Sequence, residues 1–113
     1  MTRDELLILH GQLCLEAQQI MEAKNHDYTG ATGDPFANFR ASEVFGIQPV
    51  ISILVRVLDK LQRIRTFAEK GELKVQNESV KDALLDAINY MVLIGGLLGD
   101  RRSDLDDLDD FSE

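Results

Sequence analysis

The sequence predicts an all-α fold, a helical bundle of three main helices per chain, completed by oligomerisation. Three observations carry that reading. Apolar residues recur in steps of three and four along three long segments. No segment alternates apolar and polar residues for long enough to make a strand. The segments also begin and end on recognisable helix signals. The 113 residues, 44% hydrophobic and 28% charged, have the length and composition of one globular domain.

In the first helix, Thr2 and Glu5 form a capping box before an apolar run. Leu6, Leu9, Leu13, Ala17, Ile20 and Met21 keep helical spacing to about Lys24, and Cys14 among them reads as a core residue. The second helix starts at Pro49, since proline suits the first helical position. Its seam is Val50, Leu54, Val57, Leu61, Ile64 and Ala68, and Gly71 stops it. The third runs from about Asn77 to Leu98 with Val80, Leu84, Ala87, Met91, Ile94 and Leu98 in the same pattern. A second apolar stripe accompanies each seam: Ile51, Val55 and Leu58 on one helix, Leu85, Ile88 and Val92 on the other. Helices apolar on two faces are buried in bundles, so a homodimer or homotetramer is expected.

The connection over residues 25–48 holds four of the chain's seven aromatics, Tyr28, Phe36, Phe39 and Phe45. It is expected to fold back on the bundle, with one helical turn over residues 41–45 ended by Gly46. Its polar groups Asn25, Asp27 and Asn38, beside those rings, suit a flat polar ligand such as a nucleobase. They equally suit Asx turns, with the phenylalanines pinning the loop.

Twelve Lys and Arg against twenty Asp and Glu give a net charge of −8, which argues against duplex nucleic acid as a partner. Residues 1–99 read as the single domain. Residues 100–113 read as an acidic tail, with seven acids against Arg101 and Arg102. The most apolar stretch, Ala83 to Leu98, is interrupted by Asp86, Asn89 and Tyr90 and is shorter than the roughly 18 residues of a membrane span, so no membrane partner is expected. Cys14 is the only cysteine, which suits a reducing cytoplasm. His10 and His26 are too isolated for a zinc site. No phosphate loop or Ser-centred nucleophile motif is present.

Glu78, Asp82 and Asp86 are spaced four apart on the third helix and fall within an arc of about 80°, shared by Asn89. Carboxylates on an otherwise apolar helix suit Mg²⁺ or Mn²⁺. On the second helix, Arg56, Asp59, Lys60 and Arg63 form one polar strip. Asp59 would complete the metal site, and Arg56, Lys60 and Arg63 would balance phosphate charge. The plainer reading makes Ser79 and Asp82 a capping box and pairs Asp59 with Arg56 or Arg63 along their own helix.

The segments KNHDY at 24–28, DPFANF at 34–39, RVLDKLQR at 56–63 and ESVKDALLDAINY at 78–90 resemble the nucleotide-modification-associated domain of phages and bacteria. That domain is similar to the MazG-like all-α nucleoside triphosphate pyrophosphohydrolases. The resemblance spans about residues 20–95. It implies an oligomeric helical bundle that handles a nucleotide or nucleotide-derived molecule, in the host cytoplasm if the chain is phage-encoded. In the MazG-like enzymes two acidic pairs hold Mg²⁺. The resemblance makes Glu78 and Asp82 the second pair, spaced by four instead of three, with Asp59 alone where the first pair would be. It thus implies Glu78 and Asp82 as catalytic residues and Asp59, Glu78, Asp82 and Asp86 as metal ligands. Lys24, Asn25, Asp27, Tyr28, Phe36, Asn38, Arg56, Lys60 and Arg63 are the nucleotide-binding set. Two functions are expected from it: pyrophosphohydrolysis of an NTP or dNTP, or nucleotide sequestration without turnover.

Overall fold

The computed structural model describes residues 1–28, 33–72 and 79–100, and the side chains of all of these except 25–28. The described residues form four α-helices, α1 (Arg3–Tyr28), α2 (Ala37–Arg40), α3 (Pro49–Lys70) and α4 (Val80–Asp100), with a 3-10 turn at Ala41–Phe45. No strand occurs among them. The fold is all-α, as expected. The acidic tail lies outside the described residues.

The helix ends follow local chemistry. At α1 the Thr2 amide donates to Glu5 Oε2 at 2.8 Å and the Glu5 amide to Thr2 Oγ1 at 3.1 Å, satisfying two otherwise orphaned donors. At α4 the Ser79 amide donates to Asp82 Oδ2 and the Asp82 amide to Ser79 Oγ, both at 3.1 Å. α3 opens on Pro49, and Gly71 closes it with φ 75° and its amide on the Phe67 carbonyl. Gly46, at φ 74°, ends the 3-10 turn in the same left-handed region. α1 runs to Tyr28, past the expected end near Lys24. The apolar period fades there, but nothing in NHDY breaks a helix. The connection is thereby shorter than the 25–48 expected and contains α2 besides the anticipated turn.

α4 is the central helix: α3 packs along it, α1 crosses it, and α2 and the 3-10 turn lie against α3. The main core joins Phe36, Phe39, Ile53, Val57 and Leu97, with Val50, Tyr90, Leu93 and Ile94 packed on it. Its two phenylalanines pin the connection to the bundle. Phe36 sits so close to Gly96 that a Cβ there would lie 2.9 Å from the ring. Glycine lets the loop approach the helix.

The inward faces match the expected seams only in part: Val50 and Val57 of the α3 seam and Ile94 of the α4 seam join the core. On α3, Ile53 is fully buried while Leu54 and Leu61 are 42% and 49% exposed. On α4, Ala83, Leu85, Asn89 and Leu97 are buried, whereas Leu84 and Met91 are exposed. Both helices have rotated so that their polar strips flank the buried contact. Lys60 of α3 meets Asp86 of α4 there, and the seam residues Leu54, Leu61, Leu84 and Met91 are left outside. Cys14, expected in the core, is exposed. It lies about 60° around α1 from Ala17, the residue that meets α4, and its sulfur is 3.9 Å from His10 Nδ1.

By length and apolar composition α4 meets the requirements of a membrane-crossing helix, as core helices of globular proteins also do.

Candidate functional site

Between α1, α2, α3 and α4 lies a cleft of about 150 Å³ lined by Met21, Lys24, Pro35, Asn38, Phe39, Arg56, Asp86, Asn89, Tyr90 and Leu93. Each element brings one kind of chemistry. α2 supplies Phe39, whose ring meets Tyr90 edge-on at 6.5 Å between centroids and 84° between planes. It is held in place by Asp34, whose carboxylate accepts from the Phe36 amide at 3.0 Å and from Arg40 Nε at 2.9 Å. Those bonds hold the Asp34 carboxyl below the ordinary aspartate range, the Phe36 amide having the larger effect. Arg40 in turn lies over the Phe36 ring at 5.7 Å.

α3 supplies Arg56, whose guanidinium carbon stands 4.8 Å from the Phe39 ring centroid, a cation–π contact. Among the described residues no carboxylate pairs with it. α4 supplies Asp86, which joins three helices: it lies 3.4 Å from Lys24 Nζ of α1 and 3.1 Å from Lys60 Nζ of α3. Lys60 and Asp86 are 15% and 21% exposed, so the medium around them is less polar than water and their attraction is less screened. One helical turn on, the buried Asn89 donates from Nδ2 to the Ala17 carbonyl at 2.9 Å. Among the described residues, Lys24 and Arg56 at the cleft and Lys60 behind Asp86 put three cations with one carboxylate, in a chain whose net charge is −8.

Of the residues singled out from sequence, the cleft unites Lys24, Asn38, Arg56 and Asp86, with Lys60 joined through Asp86. Asp59 and Arg63 pair with each other at 3.3 Å along α3 and do not line it. Asp82 caps α4 at an exposed position. Phe36 and Phe39 are both in the core, and of the two Phe39 also lines the cleft. Glu78 and the side chains of Asn25, Asp27 and Tyr28 lie outside the described residues. Among the described residues no three His, Cys, Asp or Glu groups converge. Asp59, Asp82 and Asp86 are engaged by an arginine, a helix end and two lysines. Sequence reasoning missed Asn89 and Tyr90 as lining groups. The signal for both was polar side chains at consecutive positions in the middle of an apolar helix.

A larger hollow of about 550 Å³ lies at the other end of α4, lined by Arg40, Glu43, Gln48, Val50, Leu97 and Asp100 among others. Its cation is already bonded to Asp34 and lies 4.0 Å from Asp100. With Glu43 also present, the charge balance there does not favour an anion.

The model of the family described as nucleotide modification associated domain 1 matches residues 24–95. The chain belongs to that family. The matched segment includes every residue lining the smaller cleft except Met21, so the cleft is made almost wholly by the family domain, with α1 closing one side. No curated protein and no solved structure matches the chain.

Proposed function

We propose that this cleft binds a nucleotide, with a base ring against Phe39 and Tyr90 and phosphates toward Lys24, Arg56 and Lys60. The observation that carries the reading is the concentration of positive charge in a strongly acidic chain, built around one aromatic-lined hollow. Arg56 is the chief phosphate anchor, because its guanidinium is aimed by the ring beneath it and has two-pronged donor geometry to offer an anion. Family membership supports the reading without naming a ligand. The exposed thiol of Cys14 suits a reducing cytoplasm as the place of action.

The test is a thermal-shift and calorimetric screen of the full chain against nucleoside mono-, di- and triphosphates, with Mg²⁺ and with EDTA. A ligand that binds only the folded chain raises its melting point, by about 2.7 kcal/mol of stability at a hundredfold excess over Kd. Arg56→Ala is expected to abolish the shift while leaving the fold intact, since its side chain is exposed. No shift with any nucleotide would refute the reading.

A hydrolytic form of the same function, an NTP cleaved to the monophosphate and pyrophosphate, draws on Asp82 and Asp86, one turn apart on α4, with the resemblance to the MazG-like enzymes behind it. It requires Glu78 to supply the ligand that the described carboxylates lack. Pyrophosphate release that depends on Mg²⁺ or Mn²⁺ and is lost in Asp82→Ala would carry it. Intact ligand recovered after incubation would leave sequestration.

A further inference from the structure

We propose that the ring seated in the cleft is a pyrimidine bearing an exocyclic amine, a cytosine nucleotide, and that Asn89 reads it. The inference rests on the nucleotide reading above and adds the identity of the base.

The first observation is an unmatched acceptor. Asn89 is 9% exposed, and its amide orientation is decided chemically: the Ala17 carbonyl only accepts, so the group facing it at 2.9 Å is Nδ2. Oδ1 is left pointing elsewhere, on a residue that lines the cleft. Among the described residues no donor meets Oδ1. A buried acceptor left unmade is costly, and the ligand that relieves it brings an N–H. The second observation is size. A cavity of about 150 Å³ is known to hold a single benzene-sized ring, and this cleft has that volume. A pyrimidine fits that volume with its sugar and phosphates outside, on the side of the cations, while a fused purine would extend into the open mouth of the cleft.

Donor and acceptor patterns then separate the pyrimidines. Cytosine presents an N4 amine, whereas uracil and thymine present the O4 acceptor at the same position. Their one donor on that edge, N3–H, lies between O4 and O2, so bringing it to Oδ1 also brings a carbonyl acceptor up on either side, and one of the two Asn89 Nδ2 protons is already bonded to Ala17. O4 against Asn89 Oδ1 sets acceptor against acceptor. The remaining acceptors of cytosine, N3 and O2, have donors available in the Asn38 amide, the Tyr90 hydroxyl and the Arg56 guanidinium, all of which line the cleft.

The experiment is isothermal calorimetry on the full wild-type chain with four probes: cytidine, uridine and adenosine triphosphates, and the 4-deamino analogue of cytidine triphosphate, which keeps the ring and lacks the amine. Cytidine triphosphate is expected to bind tightest. The uridine and 4-deamino probes should bind at least about tenfold more weakly, equivalent to about 1.4 kcal/mol. Equal binding of cytidine triphosphate and its 4-deamino analogue, within about twofold, overturns the inference, as does tighter binding of adenosine triphosphate. Either result leaves nucleotide binding standing. Failure of all four probes to bind removes both readings. Asn89→Leu is expected to erase the preference of cytidine over uridine. The ligand-side comparison decides the question even if that variant unfolds through loss of the Ala17 bond.

Discussion

Replacing Asp86 by Asn tests stability and binding together, and the two readouts are expected to move in opposite directions. Asp86 neutralises Lys24 at 3.4 Å and Lys60 at 3.1 Å. At 3.1 Å and an effective dielectric near 20, the gross attraction to Lys60 is about 5 kcal/mol. Desolvation of two largely buried groups offsets much of that. Exposed pairs are worth about 0–1 kcal/mol and breaking fully buried ones costs about 3–5. With exposures of 15% and 21% the Lys60 pair falls between. The Lys24 contact adds only a few tenths, because that lysine is half exposed. Asp86→Asn is therefore expected to cost about 2 kcal/mol, read from urea unfolding at fixed protein concentration. In the double variant with Lys60→Met the loss should shrink, because no ammonium is then left buried without a partner; the coupling expected from the cycle is about 1–2 kcal/mol. Binding should move the other way. Two freed ammonium groups are expected to raise affinity for a nucleoside triphosphate several-fold. Unchanged stability would refute the clamp. Weakened nucleotide binding would show that Asp86 contacts the ligand or a ligand-bound cation instead of restraining the lysines.

Three further outcomes follow from the packing. Gly11→Ala, where an added Cβ meets nothing within 4 Å, is expected to stabilise the chain by about 0.5–1 kcal/mol in thermal unfolding; Gly96→Ala should forfeit that gain or reverse it, because Phe36 must move. Leu58→Glu, on the exposed apolar face of α3, is expected to give a species of 12.7 kDa by light scattering, against two or four times that mass for the wild type; a monomeric wild type would refute assembly through this face. Asp34, whose carboxyl is held below its ordinary range, stabilises the fold above an unfolded value of about 3.9, and that contribution is lost as pH falls through its lower folded value. An acid titration should thus show a small loss of stability as pH falls below the unfolded value, and Asp34→Asn should remove that step.

Much of the fold was legible because its punctuation is chemical and local. Thr2 with Glu5, Pro49, Gly71, and Ser79 with Asp82 are boundary signals whose energetics are settled within one helical turn, and the structure uses all of them. Helix rotation was not legible. Ile53 and Leu54 are neighbours of equal hydrophobicity, and which one turns inward depends on α4 and Phe39, far away in sequence. The same limit applied to the site. The polar strip of α3 was recognisable, but its division between Arg56 and Lys60 at the cleft and Asp59 with Arg63 outside it depends on where α4 crosses. Asn89 was visible only as a polar residue sharing the carboxylate arc. Its partner, the Ala17 carbonyl, is a backbone group that no side-chain pattern can announce.

The rotation also explains why one chain carries both a polar cleft and so much uncovered apolar surface. On α3 the core residues Ile53 and Val57 span about 40°, the polar strip from Arg56 to Arg63 about 100°, and the apolar face of Ile51, Leu54, Val55, Leu58 and Leu61 about 120°, in succession around the helix. If the apolar sector faced α4, the polar strip would point into water, and the partly buried Asp86 would lose Lys60, the closer of its two partners. Keeping Ile53 and Val57 inward with the polar strip beside them preserves that pair and leaves the cleft. It leaves five large apolar side chains of α3 at 42–59% exposure. Burial of those side chains against a second copy would return roughly 1 kcal/mol or more for each. The polar cleft and the expected assembly are thus two consequences of one choice of helix rotation, and a substitution that turned the apolar face of α3 into the chain's own core would remove both.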